Sequence, residues 1–203
     1  HWPSVARSGE LMIRQDESTR RSTAVLFVDT RDSAVGQTHT PCFEKVISGA
    51  ASLGILLMRY GFSVKLATTQ MPPQRVGEEG LLDALAGMTH HSSRALSTGL
   101  TRLRMVAASD TTLVVVGAPP APTELPSWIR VGAMFGPKVG VFVLPTEPDT
   151  LPPDRRAQVE GRASQARMSL SRTGWEVVVL PPSRRLREVW HVERTQPLVI
   201  SGS

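Results

Sequence analysis

The stretch Ala24-Val25-Leu26-Phe27-Val28-Asp29-Thr30-Arg31-Asp32-Ser33 decides how the rest of the chain is read. An uninterrupted apolar run ends in a carboxylate, and a polar loop and a helical pattern follow it. A strand with no polar alternation fits burial on both faces, as in a parallel sheet covered by helices. Open parallel sheets bind ligands beyond the carboxyl ends of their strands, where the strand order reverses. Asp29 and the loop behind it therefore stand where such a fold places its chemistry.

Working outward, Ser22–Thr30 is the first strand. Phe43–Tyr60 carries Phe43, Val46, Ile47, Ala50, Leu53 and Leu57 at three-to-four spacing, which predicts a helix with Pro41 just before it and Gly61 just after. Its small residues Gly49, Ala50, Ala51, Ser52 and Gly54 make a smooth side suited to close approach to a sheet. Strands are expected at Phe62–Thr69, Thr112–Gly117, Lys138–Leu144 and Trp175–Leu180. Between them fall helices at Glu78–Met88, Arg94–Ala108, Glu124–Phe135 and Pro153–Arg172, with a last one at Arg184–Arg194. Repeated strand–helix alternation implies an α/β fold, a doubly wound and mainly parallel sheet with right-handed crossovers and helices on both faces. Residues 22–203 then form one domain, and residues 1–21 are an N-terminal arm or an extra strand centred on Gly9–Gln15.

With 203 residues, the chain is long enough to bury one sizeable core. One cysteine, Cys42, excludes an internal disulfide and fits a reducing compartment. No apolar run approaches the roughly 20 residues that span a bilayer. The net charge of +5 comes from 20 arginines against 3 lysines. Nine of those arginines, with five acids, lie from Leu151 onward. Scattered aromatics, 5% of the chain, supply no stacking platform for single strands, and acids interrupt the basic run. The expected reading is a solvated, salt-bridged helix face; the alternative is a binder of nucleic acid or an anionic surface.

The usual catalytic signatures are missing. No Gly-x-Gly-x-x-Gly follows the first strand, and neither a phosphate-binding Gly-x-x-x-x-Gly-Lys-Ser/Thr nor a Gly-x-Ser-x-Gly elbow occurs. His90 and His91 are adjacent and diverge, while His39 and His191 have no ligand-spaced companions, so all four read as surface or capping residues. Cys42 stands at a helix start, where a thiolate is favoured, with His39 as its only local base; a buried or half-buried inert thiol is the plainer reading. Trp128, Trp175 and Trp190 read as packing residues. A hydrolase using Asp29 or Asp32 remains as an alternative.

Two motifs at their proper separation then point to a family. His1-Trp2 followed by Ala6-Arg7-Ser8-Gly9-Glu10-Leu11-Met12-Ile13-Arg14-Gln15, with Val25-Leu26-Phe27-Val28-Asp29 behind, resembles the bacterial "domain of unknown function fifty-eight" proteins. The Phe43–Arg59 helix with its Ser48-Gly49-Ala50-Ala51-Ser52 centre is similar too. The resemblance covers about the first 70 residues, and beyond them it rests on strand–helix order. It implies a von Willebrand factor A-like domain, the part of a membrane-anchored protein on the cytoplasmic side of the bacterial inner membrane, with the anchor in an upstream segment. It implies as partner a MoxR-type AAA+ ATPase, and a non-catalytic assembly or chaperone-like role.

Metal-binding A domains carry Asp-x-Ser-x-Ser after the first strand, with a Thr and an Asp from later loops. Laid on this chain, that pattern falls on Asp29, Arg31 and Ser33, with Thr89 as the Thr and Gly117-Ala118 where the Asp belongs. Arg31 offers no lone pair and brings a positive charge. No metal and no cofactor are expected. Asp29 then reads as a loop cap that accepts backbone N–H bonds, and Arg31 as a residue free to grip a partner's carboxylate bidentately. The expected partner surface comprises Asp29, Thr30, Arg31, Asp32, Ser33, Thr89 and Gly117. Substitutions at Asp29, Arg31 or Asp32 are expected to weaken a complex without changing the melting temperature.

Overall fold

The computed structural model describes residues 22–91 and 96–188. The arm at residues 1–21, Trp190, His191 and most of the expected last helix lie outside them; of that helix only residues 186–188 are seen as a helical turn.

A six-stranded sheet runs in the order β3-β2-β1-β4-β5-β6. Its strands are β1 (Thr23–Val28), β2 (Ser63–Thr68), β3 (Gln74–Arg75), β4 (Thr111–Gly117), β5 (Lys138–Val143) and β6 (Trp175–Leu180). All pairings are parallel except β2 with the two-residue β3. β1 is interior, pairing on one side through Phe27↔Ala67 and on the other through Phe27↔Val115. Successive strands proceed one way from β1 to β2 and the other way from β4 to β6. The strand order therefore reverses between β1 and β4, and the carboxyl ends of these two strands are the place where such sheets bind ligands. The doubly wound α/β fold expected from the sequence is the fold observed.

The helices are α1 (Asp32–Val35), α2 (Pro41–Arg59), α3 (Glu78–Ala86), α4 (Leu96–Arg104), α5 (Leu125–Gly132) and α6 (Pro153–Ser171). Side chains of β1 alternate between two cores, as the period of two requires. Leu26 and Val28 face α2 and α3, where Phe43, Val46, Leu53, Leu81 and Leu85 pack. Val25 and Phe27 face α4, α5 and α6, where Leu100, Trp128, Val131 and Leu170 pack. Phe27, Trp128 and Trp175 meet edge to face, with centroids 5.5 and 6.2 Å apart. Trp128 and Trp175 are thus core residues.

α2 starts two residues before the expected Phe43 and ends at Arg59. The Thr40 hydroxyl accepts from the Phe43 N–H at 3.3 Å, and Pro41 occupies the first turn. Of its expected smooth side, Gly49, Ala50 and Gly54 are buried while Ser52 is exposed; a Cβ at Gly54 would fall 3.2 Å from Leu26 Cδ2 of β1 and 2.4 Å from Leu81 Cδ2 of α3. Among the described residues, α2 is also the one helix long and apolar enough to cross a bilayer by length and composition, which corrects the expectation that no segment reaches that length. Here Val46, Gly49, Ala50 and Leu53 lie buried against the sheet instead.

Two elements depart from expectation because each is too short to carry a period. α1 is a single turn within the loop after β1, and β3 is a two-residue antiparallel edge joined by Leu66↔Gln74. α5 ends at Gly132 and not Phe135, and α4 ends at Arg104 and not Ala108, the residues beyond closing in 3-10-like turns such as Val106 N–H to Leu103 O.

Candidate functional site

A buried ion cluster lies at the carboxyl ends of β1 and β4. Asp29 follows β1 directly and is 4% exposed; Arg31, two residues on, is 9% exposed. The Arg31 side chain folds back on Asp29, with Nε donating to Oδ1 at 2.9 Å and Nη2 to Oδ2 at 2.7 Å. The Arg31 backbone N–H also donates to Asp29 Oδ1 at 3.1 Å. The remaining guanidinium nitrogen, Nη1, reaches Glu124 Oε1 at 2.6 Å. Glu124 sits at the entrance of α5, and its other oxygen accepts the Ala121 N–H at 2.9 Å. One buried cation thus holds two carboxylates from two different loops.

Electrostatics follow the geometry. Burial works against the Arg31 charge, but its bonds and attraction to Asp29, and then to Glu124, outweigh this and hold Arg31 above the ordinary arginine range. Burial likewise opposes the Glu124 charge. The Arg31 bond, the Ala121 N–H and the charges of Arg31 and Arg162 prevail and lower its pKa.

The other loops at this edge of the sheet are fastened to the cluster. His91 N–H donates to Thr30 O at 3.0 Å and Asp32 N–H to His91 O at 3.2 Å, forming a parallel bridge between Arg31 and His91. The Thr38 N–H donates to His90 Nδ1 at 2.9 Å, and the His90 N–H donates to Thr38 Oγ1 at 2.9 Å. Gly117 packs so tightly beneath Asp29 that a Cβ there would lie 2.8 Å from Asp29 Cβ. From α6, Arg162 Nε reaches Pro119 O at 3.0 Å. The loops after β1, α3 and β4 therefore converge into one surface, as their placement in the sequence suggests.

Within that surface the expected residues divide. Asp29, Thr30, Arg31 and Gly117 are buried; Asp32 is half-buried, and Ser33 and Thr89 are exposed. Arg31 is not turned outward to grip another molecule's carboxylate: each of its guanidinium nitrogens is bonded to Asp29 or Glu124, and the residue is buried. Asp29 does accept the backbone N–H expected of a loop cap, yet its larger role is to neutralise Arg31. Changes at Asp29 or Arg31 therefore remove buried, bonded partners and are expected to lower stability as well, against the expectation of an unchanged melting temperature. Both Asp29 oxygens are bonded to the Arg31 guanidinium, so Asp29 presents no free oxygen to act as the nucleophile or general base of the hydrolase alternative.

A divalent ion of the kind the A-domain pattern implies does not fit these residues. Both Asp29 oxygens are bonded to a guanidinium, and Gly117 brings no oxygen-bearing side chain. Among the described residues, no three His, Cys, Asp or Glu side chains come together in a way that could hold a metal. Cys42 is buried in the first turn of α2. Burial, and then the nearby Asp29 charge, push its thiol up to about 12, and it is not a thiolate nucleophile. His39 is exposed and pairs with Glu44 at 3.3 Å, leaving Cys42 without a base.

Glu124 is the functional residue that sequence reasoning missed. It reads as an ordinary helix start after Pro119, Pro120 and Pro122, and only the chain's return past β4 brings it to Arg31. On α6, Arg156 pairs with Glu160 and Asp149, in keeping with a salt-bridged, solvated face.

No model of a known protein family matches the chain, and no curated protein matches it.

Proposed function

We propose that this chain is a non-catalytic, von Willebrand factor A-like interaction module. Its partner, from the resemblance, is a MoxR-type AAA+ ATPase on the cytoplasmic side of a bacterial inner membrane. The observation that carries the reading is the convergence of three loops at the switch point around a charge cluster whose cation and two carboxylates pair with one another. Such a surface suits recognition and offers no reactive group. The contact surface comprises the exposed and half-exposed residues of that edge, Asp32, Ser33, Gln37 and Thr89, while Asp29, Arg31 and Glu124 hold it in shape. Rigid scaffolds that carry binding residues on loops are a general solution for recognition.

The test is a binding measurement between the full chain and a purified MoxR-type ATPase with ATP present. Ser33→Arg and Asp32→Lys should each weaken the complex at least about tenfold, or about 1.4 kcal/mol, with melting temperatures close to wild type. Absence of any complex, or full binding by both variants, would refute the reading.

A further inference from the structure

We infer that Arg31 is a built-in cation: its guanidinium fills the position between Asp29 and Glu124 where a dissociable metal ion would otherwise be needed. A carboxylate as buried as Asp29, with a second, partly buried one in Glu124 bonded to the same cation, requires a counter-charge, because buried charges are generally paired or metal-bound. Here the counter-charge is covalent. Arg31 lies two residues from Asp29, is bonded to it through Nε, Nη2 and the backbone N–H, and reaches Glu124 with Nη1. A planar fork matches a carboxylate bidentately in a way a point charge does not. The position is therefore filled whenever the chain is folded, at any concentration of free metal. What a partner meets there rests on the interaction-module reading; the filling of the position by Arg31 does not.

Removing the side chain should expose what it conceals. In Arg31→Ser, Asp29 and Glu124 lose the cation to which both are bonded. The introduced hydroxyl adds a third oxygen-bearing side chain to this loop, and carboxylate and hydroxyl oxygens are the hard ligands that Mg²⁺ and Mn²⁺ take. Arg31→Ser is thus expected to bind a divalent ion that the wild type ignores.

The chain alone decides this, by calorimetric titration with Mn²⁺ and by thermal melting in chelator and in millimolar Mn²⁺. Wild type should take up no Mn²⁺ at this position and melt identically in both. Arg31→Ser should melt lower in chelator, recover part of the loss with Mn²⁺, and bind Mn²⁺ at least about tenfold more tightly than wild type. The gain should vanish in Arg31→Ser with Asp29→Asn. Mn²⁺ uptake by the wild type that is lost in Asp29→Asn would overturn the inference, as would an Arg31→Ser variant that melts like wild type in chelator or takes up no Mn²⁺. Should Arg31→Ser fail to fold, the wild-type titration decides on its own, and methylguanidinium restoring the fold of Arg31→Ala gives an independent positive result. Failure of the ATPase to bind would sink the proposed function and leave these measurements standing.

Discussion

Replacing Arg31 with Met isolates the energetics of the ion cluster, because Met keeps much of the side-chain volume and removes all of the charge. The substitution deletes the Nε and Nη2 bonds to Asp29 and the Nη1 bond to Glu124. Asp29 keeps only the backbone N–H of residue 31 and stays buried, its side chain 5% exposed. Glu124, 22% exposed, can recover water and adds less. Removing one partner of a buried pair typically costs about 3–5 kcal/mol, far more than the 0–1 kcal/mol of a surface pair. For a chain of this size, each kcal/mol lowers the melting temperature by about 2–4 °C, so a fall of about 6–20 °C is expected. Thermal unfolding followed by circular dichroism measures that fall, and urea unfolding the free-energy loss behind it. The double variant Asp29→Leu/Arg31→Met should regain most of the loss, since apolar replacement of a whole buried pair is often neutral. A loss below about 1 kcal/mol for Arg31→Met would place the pair in the surface class and refute the reasoning.

Further outcomes follow from the same contacts. The Glu124 carboxyl is held below its ordinary range, so the stability it contributes is complete above the unfolded value of about 4.3 and disappears as pH falls through the lower folded value; Glu124→Gln should flatten the acid limb of a stability-against-pH curve. The Cys42 thiol is raised, so the folded state keeps a proton that the unfolded chain loses near 8.5, and stability should decline from there until about 12. In keeping with this, a thiol reagent at neutral pH should modify native Cys42 far more slowly than the urea-unfolded chain. Gly117→Ala should cost about 1–3 kcal/mol by forcing a methyl against Asp29 Cβ, read by the same urea titration. Thr40→Ala should cost about 1 kcal/mol through loss of the α2 cap.

Much of this architecture was legible because its signals are local and long. The run from Ala24 to Val28 says that both faces of β1 are covered, and the three-to-four spacing from Phe43 to Leu57 says which face of α2 is buried. Both readings follow from periodicity alone. The short elements were not legible: β3 owes its existence to pairing with β2, and α1 to the Arg31 and His91 contacts. The position of the ion cluster was legible from Asp29 at a strand's carboxyl end. The direction of Arg31 was not, because whether its long side chain points to solvent or curls back depends on Glu124, which approaches from 93 residues downstream.

The position of β1 in the middle of the sheet has a consequence for biosynthesis. Its pairing with β2 becomes possible once the segment around Leu66 has left the ribosome, but Leu26 meets Val114 only much later. Until then the fully apolar segment Ala24–Val28 presents an open edge and one uncovered face, the kind of nascent surface that self-associates. Translation halted between the codons for Thr68 and Thr111 should therefore yield insoluble or chaperone-bound fragments, and extension past Gly117 should restore solubility.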